Sequence, residues 1–236
     1  MGRPKRISFP GAIYHICVHG NNNQIIFRDD HDCHRFLELL RLNKQRYGFF
    51  IHAYILLPNH FHLVIQITDK ASISKIMQIL NTAYSRYFNK KYNQKGHLLE
   101  NRFNSNLVSR DKYLLELTRY IHLNPIRLGL ANSPQDYKWS SFLIYIGSLQ
   151  DSLVDKEAVL DLLGQEKAQQ PRLYSEFVMA KVADGAANLR EAIAKNRIFG
   201  NEEFIQKIRQ DFGMGGRGAR GRSRKQSGDN SARQFI

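Results

Sequence analysis

The chain is poor in cysteine and in acidic residues. Its 236 residues include two cysteines, Cys17 and Cys33, which do not form a Cys-x-x-Cys pair. A disulfide scaffold and a cysteine-type zinc finger are therefore excluded, and low cysteine usage suits a reducing cytoplasm. The 21 acidic residues stand against 35 Lys and Arg residues, which gives a formal net charge of +14. A surplus of this size predicts a polyanionic partner, with nucleic acid first among the candidates.

Charge is also absent from one long segment, residues 48–68, which contains no Asp, Glu, Lys or Arg. The segment is long enough to span a bilayer, but Pro58, His60 and other polar residues interrupt it. We therefore interpret it as two buried strands around a turn, and we expect no membrane partner. The basic N-terminus is followed by His15 and has no clear cleavage site, so we expect a cytoplasmic protein without a signal peptide.

Hydrophobic periodicity predicts the element order β-α-β-β-α-β-α in the first part of the chain. Alternation predicts strands at 12–19, 49–57, 60–67 and 105–108, and spacings of three and four predict helices from Asp29, at 72–92 and at 111–124. Because proline disfavours helical geometry in the residue before it, we expect the last helix to end or kink at Asn124. This order is typical of an α+β fold: a ferredoxin-like, split βαβ arrangement with a mainly antiparallel sheet and an added, tyrosine-bearing helix.

Composition divides the chain into three parts. Residues 1–148 carry the predicted sheet, residues 149–212 have a helical and weakly amphipathic pattern, and residues 213–236 are rich in Gly, Arg and Ser. We expect a folded domain, a helical C-terminal region and a basic, disordered tail, in that order.

Two histidines alternate in the third predicted strand. Side chains two residues apart on a strand share a face, so His60 and His62 should project together, opposite to Phe61, Leu63 and Ile65. Two imidazoles on one face supply half of a divalent-metal site. The alternative is that both are hydrogen-bonded strand histidines without a ligand. Zinc hydrolase chemistry gains little support, because no HExxH motif is present.

A tyrosine and an asparagine recur at helical spacing in the last predicted helix. Glu116, Tyr120 and Asn124 follow one another at intervals of four and therefore lie in a line on the helix surface. A phenol one turn before a carboxamide could supply a nucleophile and a metal ligand together. The alternative is a tyrosine at the margin of the core, with Asn124 bonding the helix end.

Taken together, these two segments resemble the HUH single-tyrosine transposases, and most of all the branch called REP-associated tyrosine transposases. Further segments that match the family pattern are Tyr14-His15-Ile16, Gly96-His97-Leu98, Arg102-Phe103, Tyr120 to Arg127 and Trp139-Ser140-Ser141. The resemblance covers about residues 8–147 and fades in the C-terminal third.

The resemblance implies both an activity and a site, with residues 1–148 as the catalytic domain. His60, His62 and Asn124 would hold Mg²⁺ or Mn²⁺, and Tyr120 would attack DNA to give a 5′-phosphotyrosine. A phenol must be activated by its surroundings before it attacks, and Glu116 is a candidate helper. The substrate would be single-stranded DNA with hairpins, which the enzyme cleaves and rejoins without ATP. We expect a monomer and keep a dimer as the alternative.

Cations near these segments are candidates for DNA contacts. They are Arg86, Lys90 and Lys91 on the long helix, Arg102, Arg119 and Arg127 around the tyrosine helix, and Arg3, Lys5 and Arg6 in an arm that resembles a minor-groove reader. The alternative is a solvated helix face and a solubilising terminus.

Two binding functions compete with the enzyme hypothesis. The chain could recognise palindromic DNA hairpins as a regulator without cutting them, or it could bind RNA hairpins. The joint presence of His60, His62, Tyr120 and Asn124 favours the enzyme, because binding alone does not require that set.

Overall fold

The computed structural model describes residues 6–100, 102–180 and 198–213. These residues form a five-stranded sheet from β1 (Ile13–His19), β2 (Phe50–Leu57), β3 (His60–Gln66), β4 (Asn104–Val108) and β5 (Ile198–Phe199), in the order β2-β3-β1-β4-β5. The first four strands pair antiparallel, and β5 pairs parallel with β4. The predicted ferredoxin-like α+β fold is confirmed.

Three long helices accompany the sheet, and each begins at a side-chain cap. They are α1 (Asp30–Tyr47), α2 (Ile73–Lys91) and α3 (Lys112–Arg127), followed by α4 (Phe142–Tyr145), α5 (Glu157–Leu160), α6 (Gln170–Met179) and α7 (Glu202–Asp211). Asp29, Ser72 and Asp111 accept backbone N–H bonds at the starts of α1, α2 and α3. Such caps satisfy donors that the first helical turn leaves unpaired. In the described parts of the chain, no helix is long and apolar enough to cross a bilayer.

The two faces of the sheet carry different helices. Phe61 is fully buried and packs against Phe36 of α1, with ring centroids 4.5 Å apart. His62, the next residue on β3, points the other way and faces Tyr120 of α3. Since successive strand residues alternate between faces, α1 and α3 lie on opposite sides of the sheet. The strand parity predicted for His60 and His62 is therefore confirmed.

The C-terminal region differs from the expectation that residues 149–212 are helical. Helices α5, α6 and α7 are present, but Ile198 and Phe199 form β5 beside Leu107 and Val108. Both β5 side chains are buried, and Phe199 O accepts a 2.9 Å bond from the N–H of Ser109. Pairing of β5 with the open edge of β4 satisfies the hydrogen bonds of both backbones. The hydrophobic periodicity of a short segment does not predict such a pairing. Residues 181–197 and 214–236, and with them the predicted tail, lie outside the described residues.

A buried histidine fastens α3 to the sheet. The two ring nitrogens of His122 lie 2.7 Å from the Tyr174 hydroxyl of α6 and 2.7 Å from Ser141 Oγ. Ser141 Oγ also accepts the N–H of Tyr54 on β2 at 3.0 Å. We call this set of bonds the His122 anchor. It ties α3, α6 and β2 together two residues after Tyr120 and explains the Trp139-Ser140-Ser141 motif, because the backbone at 139–141 follows β2.

Helix α3 continues through Pro125 to Arg127 and does not end at Asn124. A proline has no N–H, so the carbonyl of Ile121 loses its usual donor in the next turn. The Asn124 side chain supplies a replacement: Nδ2 donates to Ile121 O at 3.3 Å and to Tyr120 O at 3.0 Å. The expectation that the helix ends at this point was therefore wrong, because a side-chain donor compensates for the proline.

This compensation predicts a non-additive pair of substitutions. Asn124→Leu should lower the free energy of unfolding by about 1–2 kcal/mol, because two buried carbonyls lose a donor. In a Pro125→Ala background, Asn124→Leu should lower the free energy of unfolding by clearly less, because the new backbone N–H of residue 125 can donate to Ile121 O. Urea unfolding of the four proteins measures the coupling, and equal costs in both backgrounds would contradict the explanation.

The His122 anchor also predicts a pH dependence of stability. Burial lowers the pKa of His122 to about 3. The unfolded chain therefore takes up this proton near pH 6.5 while the folded chain does not, so stability is lost as the pH falls from about 6.5 towards 3.

The substitution His122→Gln should reduce the slope of the unfolding free energy against pH by roughly 1.4 kcal/mol per pH unit between about pH 6 and pH 4. Tyr174→Phe is the matched control. It removes a hydrogen bond from the same anchor but leaves the imidazole in place, so it should lower stability without changing the slope. Urea unfolding over a pH series measures both variants, and a wild-type slope in His122→Gln would contradict the assignment.

Candidate active site

Four histidines converge on the face of the sheet that α3 covers. His15 and His19 come from β1, and His60 and His62 come from β3; we call them the histidine cluster. The strand register sets His19 opposite His60, with ring centroids 4.8 Å apart. The centroids of His60 and His62 are 5.2 Å apart, and those of His15 and His62 are 5.1 Å apart. Two neighbouring strands therefore present a continuous imidazole surface.

The buried half of the cluster is electrically neutral. His15 Nε2 lies 3.0 Å from His62 Nδ1, and the rings are inclined by 9°, so they meet edge to edge in a hydrogen bond. Burial lowers the pKa of His15 to about 4. Burial, reinforced by the other three histidines, lowers the pKa of His62 well below its usual value. Both rings are thus neutral near pH 7, which is the form of histidine that binds metal ions.

Tyr120 faces this cluster from α3. Its ring centroid lies 6.1 Å from that of His62 and 6.4 Å from that of His15, in nearly perpendicular orientations. The side chain is 6% exposed. The guanidinium of the exposed Arg127 lies 4.9 Å from the centre of the phenol ring. The structure therefore brings the predicted nucleophile, a predicted metal ligand and a cation together.

Tyr113, the other tyrosine of α3, lies elsewhere. It packs edge-on against Phe199 of β5 with ring centroids 4.9 Å apart. Seven residues separate it from Tyr120, which corresponds to about 10 Å along the helix. Tyr113 therefore serves as an internal comparison for Tyr120.

The candidate metal ligands offer a donor set that fits a divalent ion. His60 Nδ1 is 2.7 Å from Asn59 Oδ1, and His62 Nδ1 is engaged by His15, so Nε2 is the second nitrogen of each ring. The Asn124 amide nitrogen is bound to the helix backbone, which leaves Oδ1 as the candidate ligand atom. Two imidazoles with an oxygen suit Mn²⁺ better than Mg²⁺, which prefers oxygen ligands. Within the described ranges, no three His, Cys, Asp or Glu side chains are arranged to hold an ion alone, so Asn124 or a substrate oxygen is needed.

The predicted DNA-contacting cations fall into three groups. Arg86 and Lys90 on α2, Arg102 before β4 and Arg127 at the end of α3 are exposed. Arg3 and Lys5 lie outside the described residues. The other three, Arg119, Lys91 and Arg6, bond to other residues of the chain.

Arg119 is a correction to the predicted set. Its side chain is buried, forms an ion pair with Glu116, and packs over the Phe177 ring of α6 at 4.2 Å. Contact between α3 and α6 takes this guanidinium away from solvent, so Arg119 is a structural residue. The pairing also engages Glu116, the candidate helper for Tyr120.

Lys91 and Arg6 also make contacts within the chain, and their contacts with DNA stay predictions. Lys91 donates to Asp29 at 2.7 Å and to the buried Asp32 at 2.8 Å, which joins the end of α2 to the start of α1. Arg6 donates to Phe103 O at 2.6 Å and stacks on the Phe103 ring at 3.8 Å. The terminal arm is thus fixed on the chain before β4 from residue 6 onward.

Three residues of the site were not assigned a role from the sequence: His15, His19 and Asn59. The alternation of His15, Cys17 and His19 on β1 has the same period of two as His60 and His62, and this signal could have identified the second strand. Asn59 has no such signal, because its contact with His60 depends on the geometry of the β2–β3 turn.

Comparisons with known proteins identify chains to which this one is similar. The family model described as "Transposase IS200 like" matches residues 8–124. A Haemophilus influenzae protein described as a REP-associated tyrosine transposase is 31% identical over 109 residues, which cover 42% of this chain and 61% of that protein. The match thus spans less than two thirds of this relative.

A solved structure supports the fold. It is described as a REP-associated tyrosine transposase bound to a REP hairpin, and it matches with a TM-score of 0.53 at 18% identity, over 67% of this chain and 96% of that one. The five-stranded sheet with its helices is the shared architecture. Strands β1 to β4, Tyr120 and the histidine cluster all lie within residues 8–124, the segment over which this chain is similar to the IS200-like transposases.

Proposed function

We propose that this protein cleaves and rejoins single-stranded DNA beside hairpins, with Tyr120 as the nucleophile. The observation that carries the proposal is the position of the Tyr120 ring, 6.1 Å from His62 on the only face where β1 and β3 present histidines within the described chain. A tyrosine that served packing alone would not need the two buried, neutral imidazoles of His15 and His62 opposite it.

The proposed reaction is a transesterification. The Tyr120 hydroxyl loses its proton and its oxygen attacks the scissile phosphorus, and the bond from phosphorus to the 3′ oxygen breaks. The leaving 3′ oxygen takes up a proton, so the products are a 5′-phosphotyrosine and a 3′-hydroxyl end. Attack by a 3′-hydroxyl on the phosphotyrosine reverses these steps, rejoins DNA and restores Tyr120 without ATP.

Other residues of the chain would bind the metal ion, bind the phosphate and position Tyr120. His60, His62 and Asn124 would hold Mg²⁺ or Mn²⁺, which supplies Lewis acidity at the phosphate when bound. Arg127 stands over the Tyr120 ring and is exposed, so it can pair with the phosphate that Tyr120 attacks. The His122 anchor holds α3 against the sheet and so keeps Tyr120 opposite the histidine cluster.

The nature of the substrate is inferred from charge and from relatives. Arg86, Lys90, Arg102 and Arg127 are exposed and can neutralise backbone phosphates, in keeping with the net charge of +14. The solved relative is bound to a REP hairpin. A hairpin with a flanking single strand is therefore the substrate that we propose for this chain.

The proposal predicts separate effects on binding and on chemistry. Tyr120→Phe should abolish the covalent protein–DNA adduct and change hairpin affinity by less than about threefold, since the ring and its packing remain. Tyr113→Phe is the matched control, because it removes the same atom from the same helix at a site against β5. It should leave adduct formation unchanged.

The measurement uses labelled hairpins with single-stranded flanks, Mn²⁺, denaturing gels for the adduct and fluorescence anisotropy for binding. Adduct formation by Tyr120→Phe would remove Tyr120 from the active site. Hairpin binding by the wild-type chain without any adduct would favour the non-cleaving regulator, and equal competition by RNA hairpins would favour the RNA binder.

A further inference from the structure

Asn59 links His60, the half-buried candidate ligand, to a neighbouring loop. Its Oδ1 atom lies 2.7 Å from His60 Nδ1, and its Nδ2 atom donates to Asn23 Oδ1 at 2.6 Å. The Asn59 backbone carbonyl accepts the N–H of Gly20 at 2.8 Å. Two contacts from the loop after β1 therefore fix the Asn59 carboxamide relative to His60.

His15 holds the buried ligand histidine in a comparable way. The 3.0 Å contact runs from His15 Nε2 to His62 Nδ1, the same ring atom that His60 offers to Asn59. His15 Nδ1 is buried and has no hydrogen-bond partner among the residues that the structure describes. His122, by contrast, bonds through both ring nitrogens. His15 therefore has one hydrogen bond where His122 has two, and within the described residues that one bond is to His62.

The position of the proton decides whether either ring can bind a metal ion. A neutral imidazole carries one proton, and the other nitrogen has the lone pair that a metal accepts. If the neighbour of Nδ1 accepts a hydrogen bond, the proton resides on Nδ1 and the lone pair on Nε2. If that neighbour donates, the proton moves to Nε2 and the ring cannot use this atom as a ligand.

We propose that Asn59 and His15 are positioning residues that hold His60 and His62 in the Nδ1–H tautomer, so that both rings offer Nε2 to one divalent ion. The inference rests on the proposed function for its metal. Asn59 acts through its carbonyl oxygen, and Asn23 keeps that oxygen turned towards His60 by accepting the amide N–H. His15 acts through the lone pair of Nε2 and carries its own proton on Nδ1.

The direct test reads the tautomers of the metal-free full-length chain by long-range ¹H–¹⁵N NMR above pH 7. In the wild type, the proton of His60 and that of His62 should both lie on Nδ1. Asn59→Leu should remove the preference of His60 for the Nδ1–H tautomer, and His15→Phe should remove the same preference of His62. Asn132→Leu, which replaces an exposed asparagine elsewhere, should change neither ring.

Mn²⁺ affinity, measured by titration calorimetry, gives the second readout. Asn59→Leu should weaken Mn²⁺ binding by about 10- to 100-fold, the usual effect of removing a partner of a metal ligand. Asn59→Asp should bind Mn²⁺ at least as tightly as the wild type, since a carboxylate can only accept from His60 Nδ1. This rescue separates a positioning role from a general loss of structure.

Two results would overturn the inference. One is a proton on Nε2 of His60 in the wild type, and the other is an Asn59→Asp variant that loses Mn²⁺ as Asn59→Leu does. Failure of the proposed function has a different signature, because a wild-type chain that binds no Mn²⁺ and forms no adduct could still show both Nδ1–H tautomers.

Discussion

The seating of α3 on the sheet is the constraint on which the rest of this structure depends. The His122 anchor provides it, since one fully buried imidazole bonds to Ser141 beside β2 and to Tyr174 on α6. Helix residues three and four apart share a face, and Tyr120, two before His122, is turned towards β1 and β3 instead. A polar contact in the core therefore sets the distance between the tyrosine and the histidine cluster.

Short-range patterns sufficed to predict most of the fold and part of the site. The period of two in His60-Phe61-His62 correctly separated the face that carries the two histidines from the face on which Phe61 packs against α1, because successive strand residues alternate between faces. The spacing of Tyr120 and Asn124 likewise placed both on one helix. The helix end was misjudged because the rule for proline ignores side-chain donors, and Asn124 supplies one to Ile121 O.

Contacts between residues distant in sequence explain what could not be predicted. Arg119 and Lys91 were both predicted to contact DNA, yet Arg119 is buried against Phe177 and the exposed Lys91 forms an ion pair with Asp32. The relation between Asn59 and His60 depends on a turn whose backbone meets Gly20. The pairing of Ile198 and Phe199 with β4 joins strands about ninety residues apart, which no local window contains. In each case the contact is made with a residue distant in sequence, and the spacing of residues in the sequence does not identify that residue.

The most direct measurement of the central claim is the location of the DNA link in the trapped adduct. Trypsin cuts after Lys112, Arg119 and Arg127, so residues 113–119 and 120–127 form separate peptides, each with one tyrosine. Tandem mass spectrometry of the nuclease-trimmed adduct should find a 5′-phosphorylated nucleotide on Tyr120 in peptide 120–127 and an unmodified peptide 113–119. A nucleotide on Tyr113, or on a peptide from outside α3, would contradict the account in which α3 brings one tyrosine to the histidine cluster.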